Sequence, residues 1–249
     1  MGEAKRIRVE PILSADANDL VKRLHYSGKV CQNSQLHFGA FLDGRLGGVM
    51  QFGPSIDKRR MQGLVRGTKW NGFLELNRMA FADWLPRNGE SRALGVAMRL
   101  IRKHYPQIEW IVSFADGCQC GDGTIYRAAG FKLTQIKRNT TLLRFSGRVV
   151  ARKTLDDHVG PDGRYLSAHA REAGATPLQG FQLRYIYFLN PEAIERLSCP
   201  TLPFSAVEKA GARMYRGNRI GAGGVGGDAP APQAGEDGSN PIPALQPSR

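Results

Sequence analysis

The alternation of apolar and polar positions is clearest between residues 35 and 53. Leu36, Phe38, Ala40 and Leu42 share one parity before Asp43-Gly44, and Leu46, Gly48, Met50 and Phe52 share one after it. Asp-Gly between two alternating runs predicts a β-hairpin. The next strand, 73 to 81, slips phase: Leu74 and Leu76 lie on one parity, Met79 and Phe81 on the other. One extra residue near Asn77-Arg78 brings all four to one face, the pattern of a β-bulge, and bulges often lie beside active sites. Burial of the strand on both faces is the alternative and needs no bulge. From 90 to 105, Leu94, Ala97, Met98, Ile101 and Tyr105 recur at helical spacing, with Asn88 or Ser91 to cap the start and Pro106 to stop it. The apolar run 109 to 115 predicts a buried strand. A short helix over Thr124 to Ala129, closed by Gly130, and strands over 131 to 137 and 140 to 145 complete the series. This order predicts an α+β domain over residues 1 to 145, a mixed sheet flanked by helices.

Residues 146 to 216 read as an extension. Phe181 to Phe188 has the look of a strand, and Val149-Val150 of another. A loop-rich stretch with Gly160-Pro161-Asp162-Gly163 lies between them. Residues 217 to 249 hold 8 Gly and 5 Pro and no aromatic residue, so too little apolar surface is available to offset ordering entropy, and disorder is expected.

Charge changes the picture of partners. The 249 residues carry 35 Lys+Arg against 22 Asp+Glu, a net +13. The last 33 residues contribute −1, which leaves +14 on the rest. Such an excess favours polyanions, with nucleic acid foremost. No apolar run approaches the roughly 18 residues of a membrane span, and no secretory leader follows Met1. Cys31, Cys118, Cys120 and Cys199 do not read as a disulfide framework in a chain of this length, so a reducing cytoplasm is the expected location.

Several constellations are candidates for chemistry. Arg92-Ala93-Leu94-Gly95-Val96-Ala97 falls at the predicted helix start, where backbone N–H groups and the helix dipole favour an anion such as a pyrophosphate. Met79 and Ala80, on the strand before it, would line the same cleft. Glu90 argues mildly against an anion, and an amphipathic helix with a packing glycine is the plainer reading. Asp116, at the end of a buried strand, can accept a proton or bind a metal, or simply start a turn. Tyr126-Arg-Ala-Ala-Gly130-Phe131 places a tyrosine one turn from a helix end. Cys118-Gln-Cys120 is too close for a structural zinc pair and reads better as polarised loop thiols. His37 could line a cleft, though an ordinary strand histidine is the stronger reading. Finally Arg148, Arg152, Lys153, Arg164, Arg171 and Arg184 are interleaved with Tyr165, Phe181, Tyr185, Tyr187 and Phe188, which suits phosphate contacts with base stacking. A hairpin with one solvated face accounts for them equally well.

The Arg92–Ala97 and Tyr126–Phe131 stretches resemble the R/Q-x-x-G-x-G/A and Y-x-x-x-G-F patterns of GNAT-type N-acetyltransferases. In that family a bulge splays two strands apart to admit acyl-coenzyme A, and the tyrosine often protonates the departing thiolate. A longer set of stretches is more specific: Leu24-His25-Tyr26-Ser27, Leu36-His37-Phe38-Gly39, Phe73 to Met79, Asn88 to Arg92, and Ser113 through Asp116 and Asp122 to Tyr126. Together these resemble the Mom family of phage DNA adenine-modification proteins, over about residues 20 to 188.

That resemblance implies a GNAT-like fold and a phage-encoded enzyme working in the bacterial host cytoplasm. It would convert adenine N6 in double-stranded DNA to N6-carbamoylmethyladenine, shielding the DNA from host restriction. By motif position it implies Arg78, Ser113, Asp116 and Tyr126 as catalytic residues, with Glu75 and Asn77 beside them. It leaves open whether the donor is acetyl-coenzyme A or an aminoacyl-tRNA such as glycyl-tRNA, and whether iron takes part, for which His37 and Asp116 are the candidate ligands. A homodimer is likewise left open. Two other classes compete: an ordinary acetyl-coenzyme A-dependent N-acetyltransferase, and a non-catalytic nucleic-acid-binding protein on a decayed acyltransferase scaffold.

Overall fold

A computed structural model describes residues 2–215 and 218–219; the expectation for 217 to 249 otherwise lies outside the described residues. After a short 3-10 turn at Glu3–Arg6 come β1 (Arg8–Pro11) and α1 (Ser14–Leu24), none of which the hydrophobic pattern marks. The predicted hairpin follows as β2 (Leu36–Leu42) and β3 (Arg45–Gly53). Its turn residues Asp43 and Gly44 both have positive φ, 52° and 80°, the left-handed pair that a tight hairpin turn demands. After α2 (Lys58–Gln62) come β4 (Phe73–Phe81), α3 (Gly89–His104), β5 (Trp110–Gly117), α4 (Thr124–Ala128) and β6 (Lys132–Arg138). Then come β7 (Leu142–Phe145), β8 (Arg148–Ala151), α5 (Arg152–Asp156), α6 (Leu166–Glu172), β9 (Thr176–Pro177) and β10 (Phe181–Phe188). Asn88, at the head of α3, has φ 67° and its side chain makes no capping bond, so neither predicted cap operates as expected; Ser91 Oγ donates to Asn88 O instead.

Seven strands form one sheet in the order β1-β2-β3-β4-β5-β10-β6. Only β4 and β5 are parallel. The phase slip in β4 is a bulge, as its parity predicts. Gln51 pairs with Arg78 and Phe52 with Leu76, which leaves Asn77 as the extra residue. Leu74, Leu76, Met79 and Phe81 therefore all join the core beneath α3, with Leu94, Ala97, Met98 and Ile101 of that helix. On the opposite face α1 packs Ala17, Leu20 and Val21 against Val49 and Ala80. Met61 and Val65, from the β3–β4 connection, cover Phe73, Trp110, Val112 and Ile186 on that same face.

The division at residue 145 does not separate the sheet from the extension. β7, β8 and β9 form a small sheet of their own, packed with α5 and α6 around Leu143, Phe145, Leu155, Ala170 and Ala175. The chain then returns, and β10 inserts between β5 and β6. Hydrophobic periodicity marks a strand but carries no record of its partners, so only the fold shows this insertion. No helix among the described residues is long and apolar enough to cross a membrane.

Candidate active site

The bulge has a direct consequence for the neighbouring strands. β4 and β5 pair only from Phe73–Trp110 to Glu75–Val112 and then part. Around this gap the structure assembles residues from five segments. Asn77 is buried; its Oδ1 accepts from Ser34 Oγ (3.0 Å) and its Nδ2 donates to Pro54 O (3.4 Å). Arg78 donates from Nε to Lys29 O (2.7 Å) and from Nη1 to Asn77 O (2.6 Å). It thereby ties β4 to the segment after α1, where the rings of His25 and Tyr26 lie 4.3 Å apart.

Mutual electrostatics show how close these groups are. The Glu75 carboxyl is raised above the ordinary range, first by burial, while its hydrogen bonds to Ser55 and Asn77 and the Arg78 charge pull it back. Burial pushes the Tyr126 phenol up to about 12; Cys120, Glu75 and Glu90 add to this, and the Ser113 hydroxyl works against it. Ser113 itself is fully buried and, despite facing Tyr126, its Oγ makes no hydrogen bond of regular geometry. The Tyr26 phenol, although the residue is 45% exposed, is raised by partial desolvation and then by Asp116, Cys120 and Tyr126, with Arg78 opposing. His25 is lowered to about 4 by burial and by Arg78. Near neutral pH both tyrosines are protonated and His25 is uncharged.

Asp116 closes β5 and is saturated with donors. Its Oδ1 accepts from Cys118 N and Gln182 Nε2, both at 2.9 Å, and its Oδ2 from Gln119 Nε2 at 2.9 Å. It holds the turn after β5 against β10 and places its charge beside Tyr26 and Cys120. The expectation of polarised thiols is not met at Cys120. Cys120 is exposed, yet partial desolvation by its neighbours, then Asp116 and Glu90, push its thiol up to about 11, the opposite of what a reactive thiolate needs. Asp122, further along the same turn, is 2% exposed and accepts from Thr124 N and Oγ1, Arg213 Nε and Met214 N. It pins the start of α4, which carries Tyr126.

Arg78, Ser113, Asp116 and Tyr126 are thus brought together, with Glu75 and Asn77. Tyr26, His25, Glu90 and Cys120 complete the cluster, and the sequence pattern attaches no catalytic role to them. A signal does exist for the first two: Leu24–Ser27 is one of the stretches that carry the family resemblance. The metal expectation finds no donor set. His37 Nδ1 contacts Gln51 Nε2 (3.2 Å), which also donates to Asn18 Oδ1 of α1 (2.9 Å). Among the described residues no three His, Cys, Asp or Glu side chains are grouped to hold a metal.

The Arg92–Ala97 pattern does not open its helix. α3 starts at Gly89, and Arg92 N–H already donates to Asn88 O (3.1 Å). The N–H groups behind it therefore lie within the helical ladder. Ala93, Leu94 and Ala97 point into the core, Ala80 packs beneath α1, Met79 and Val96 are half-buried and Arg92 is exposed. Gly95 alone keeps an open approach: a Cβ there would meet nothing within 4 Å.

Two of the expected nucleic-acid residues are inside the protein. Arg184 is 7% exposed and donates to Thr134 Oγ1 (3.0 Å) and to Cys199 Sγ (3.4 Å). Tyr185 is fully buried and donates to Asp122 O (2.5 Å). β10 is paired on both edges and covered on both faces, so its alternation divides two cores instead of core and solvent. Arg148, Arg152, Lys153 and Arg164 remain at the surface.

The family model of the Mom protein family matches residues 6–206. The chain belongs to the Mom protein family. The methylcarbamoylase mom of Escherichia phage Mu is 36% identical to this Mom chain over 198 residues, covering 78% of this chain and 80% of the phage Mu protein. Solved acetyltransferase structures also overlay on it. An IAA acetyltransferase from Bacillus cereus does so with TM-score 0.42 and 14% identity, covering 73% of this chain and 99% of that one. A Bacillus subtilis acetyltransferase in complex with CoA gives TM-score 0.41 and 12% identity, covering 74% of this chain and 97% of that one. At these scores neither overlay bears on what the Mom chain binds.

Proposed function

We propose that this chain is a DNA-modifying transferase that adds a carbamoylmethyl group to adenine N6. Its similarity to the phage Mu methylcarbamoylase supports the reaction class. The observation that carries it here is the cluster of Glu75, Arg78, Ser113, Asp116 and Tyr126 where β4 and β5 part.

Adenine N6 is a weak nucleophile because its lone pair is delocalised into the ring, so it must lose a proton as it attacks. Glu75 is the acceptor. It stands at the last paired position of β4, and burial makes it a stronger base than an exposed carboxylate. A bond forms from N6 to the donor's electrophilic carbon, and the bond from that carbon to the leaving group breaks. Tyr126, protonated up to about 12, supplies the leaving group's proton. Arg78 spends only part of its N–H complement on Lys29 and Asn77 and stabilises the developing oxyanion with the rest. Asp116 holds the turn in place, and the Ser113 hydroxyl faces the phenol and eases its ionisation.

The added group carries nitrogen as well as carbon, which an acetyl donor lacks and a glycyl ester such as glycyl-tRNA supplies. Acyl transfer from such an ester gives the N6-glycyl amide, an isomer of the carbamoylmethyl product. To reach the product, N6 must pass from the carbonyl carbon to the methylene carbon as the amino nitrogen passes from the methylene to the carbonyl, with no atoms gained or lost. Gly95 is the open position past which a donor can approach α3. The target base must leave the duplex stack to reach the gap, at a cost of roughly a few kcal/mol.

The test is mass spectrometry of nucleosides from plasmid DNA of cells expressing the chain. The expected species is an adenosine heavier by about 57 mass units, as base-directed transfer requires. It should be reduced by about 10²–10⁴-fold with Glu75→Gln or Tyr126→Phe. Unmodified DNA beside abundant folded protein refutes the reading and favours an N-acetyltransferase with another amine substrate.

A further inference from the structure

With Arg184 and Tyr185 inside the fold, the cations that hold DNA have to be sought again. The block 146 to 180 holds Arg148, Arg152, Lys153, Arg164 and Arg171 against Asp156, Asp157, Asp162 and Glu172, a net +1. Three of its cations are spent internally: Arg152 on Asp156, Lys153 on Asp157, and Arg164 on Glu172. The β3–β4 connection, residues 54 to 72, is different. It carries Lys58, Arg59, Arg60, Arg66 and Lys69 against Asp57 alone, a net +4. Among the described residues none of these five is in an ion pair. Arg59, Arg60, Arg66 and Lys69 are exposed. Unpaired cations are the ones that gain most from releasing the counterions of a phosphate backbone.

This surface is built rather than loose. Met61 and Val65 are buried against Trp110, whose Nε1 donates to Thr68 Oγ1 (3.0 Å). Thr68 Oγ1 in turn donates to Val65 O, and Gln62 Nε2 to Thr68 O, both at 2.7 Å. Trp70 is 52% exposed and carries Lys58 Nζ 4.5 Å from its ring centroid.

The connection also starts at the reaction centre. Pro54 O accepts from Asn33 and from the bulge residue Asn77, and Ser55 is buried in a hydrogen bond to Glu75. The next residue, Ile56, is 78% exposed. Its Cα lies one residue step, about 3.8 Å, from that of Ser55. An isolated apolar side chain so close to a base-accepting gap is placed to occupy the space a departing base leaves in the stack, as apolar wedges do in proteins that unstack DNA.

We propose that the β3–β4 connection is the duplex-DNA docking surface. Arg59, Arg60, Arg66 and Lys69 lie on phosphates, and Ile56 enters the stack as the adenine leaves it. This rests on the DNA-modification reading. It is tested with the full purified chain and a fluorescently labelled DNA duplex by measuring affinity against salt concentration. Arg59→Ala/Arg60→Ala should lower the slope of log affinity against log salt by about 2, close to one for each phosphate no longer neutralised. Ile56→Ala should leave that slope in place. It should remove the fluorescence rise that the unaltered chain causes in duplexes carrying 2-aminopurine at adenine positions.

An unchanged slope for the double variant, or a larger fall for Arg148→Ala/Lys153→Ala, overturns the assignment of the surface. A 2-aminopurine signal that survives Ile56→Ala overturns the wedge. If these results come from a chain that still modifies plasmid DNA, the inference fails alone. If the unaltered chain neither binds duplex DNA nor modifies it, the functional reading fails with it.

Discussion

Asp116 and Asp122 sit six residues apart in one motif, and their surroundings assign them different work. Asp122 is 2% exposed, and each of its oxygens has a distinct task. Oδ1 accepts from Thr124 N (3.2 Å) and Thr124 Oγ1 (2.7 Å), turning the chain into α4. Oδ2 accepts from Arg213 Nε (2.9 Å) and Met214 N (3.4 Å), tying that turn to the segment after α7 (Ser205–Lys209). Asp122→Ala leaves those donors without their acceptor and Arg213 without its counter-ion. Breaking a fully buried pair costs about 3–5 kcal/mol. Arg213 is 33% exposed, so water recovers part of the loss, and about 2–3 kcal/mol is expected. At about 2–4 °C per kcal/mol for a domain of this size, Tm should fall by roughly 4–12 °C. Asp122→Asn keeps an acceptor for Thr124 but presents its NH2 to Arg213 and Met214, donor against donor, so it should recover only part of the loss. Activity should fall with both variants because α4 carries Tyr126. The assay is thermal unfolding in parallel with nucleoside analysis of plasmid DNA. A Tm within about 2 °C of the parent for Asp122→Ala, with activity lost, would refute the structural role and place Asp122 among the reacting groups.

Other consequences are testable in the same way. Tyr185→Phe leaves Asp122 O without its buried donor and should cost about 1–2 kcal/mol in denaturant unfolding, with no change in the salt slope of DNA binding. Gly95→Ala meets no neighbour and gains helix propensity, so stability should rise by up to about 1 kcal/mol; activity should fall if the donor passes over this position, and an unimpaired enzyme removes Gly95 from the site. Glu75 works as a base only when deprotonated, and its pKa is raised, so the acid limb of the pH–rate profile should lie above the ordinary carboxylate range and disappear in Glu75→Gln. His25, lowered to about 4 from 6.5, binds its proton more readily in the unfolded chain. Stability should therefore decline as pH falls from about 6.5 towards about 4, by at most about 3 kcal/mol, and His25→Gln should flatten that window in pH-dependent unfolding.

What the sequence discloses about this fold depends on the range of the interactions concerned. The hairpin and the bulge are local: parity of side chains and two turn residues suffice, and both stand in the structure where the pattern puts them. The placement of β10 between β5 and β6 is a pairing across more than sixty residues (Gln182 with Asp116), and no periodicity encodes it. The Arg92–Ala97 pattern shows the opposite failure. Its spacing matches an anion-binding helix start, but α3 begins at Gly89, three residues before Arg92, so the donors the pattern needs are already used.

The same distinction governs the charges. A sequence shows how many cations a segment has, whereas binding depends on how many remain unpaired. Residues 146 to 188 look like a nucleic-acid surface in the sequence because arginines and aromatics alternate there. The fold spends Arg152, Lys153 and Arg164 on acids of the same block and turns Arg184 and Tyr185 inward. The β3–β4 connection has fewer aromatics and no regular alternation, but it holds a single acid, Asp57, its cations are in no ion pair among the described residues, and its first residues hydrogen-bond to Asn77 and Glu75. Catalytic gap and docking surface are therefore joined through one short stretch of backbone at Pro54-Ser55. A duplex held by Arg59 and Arg60 is presented to the bulge by the same chain that positions Glu75.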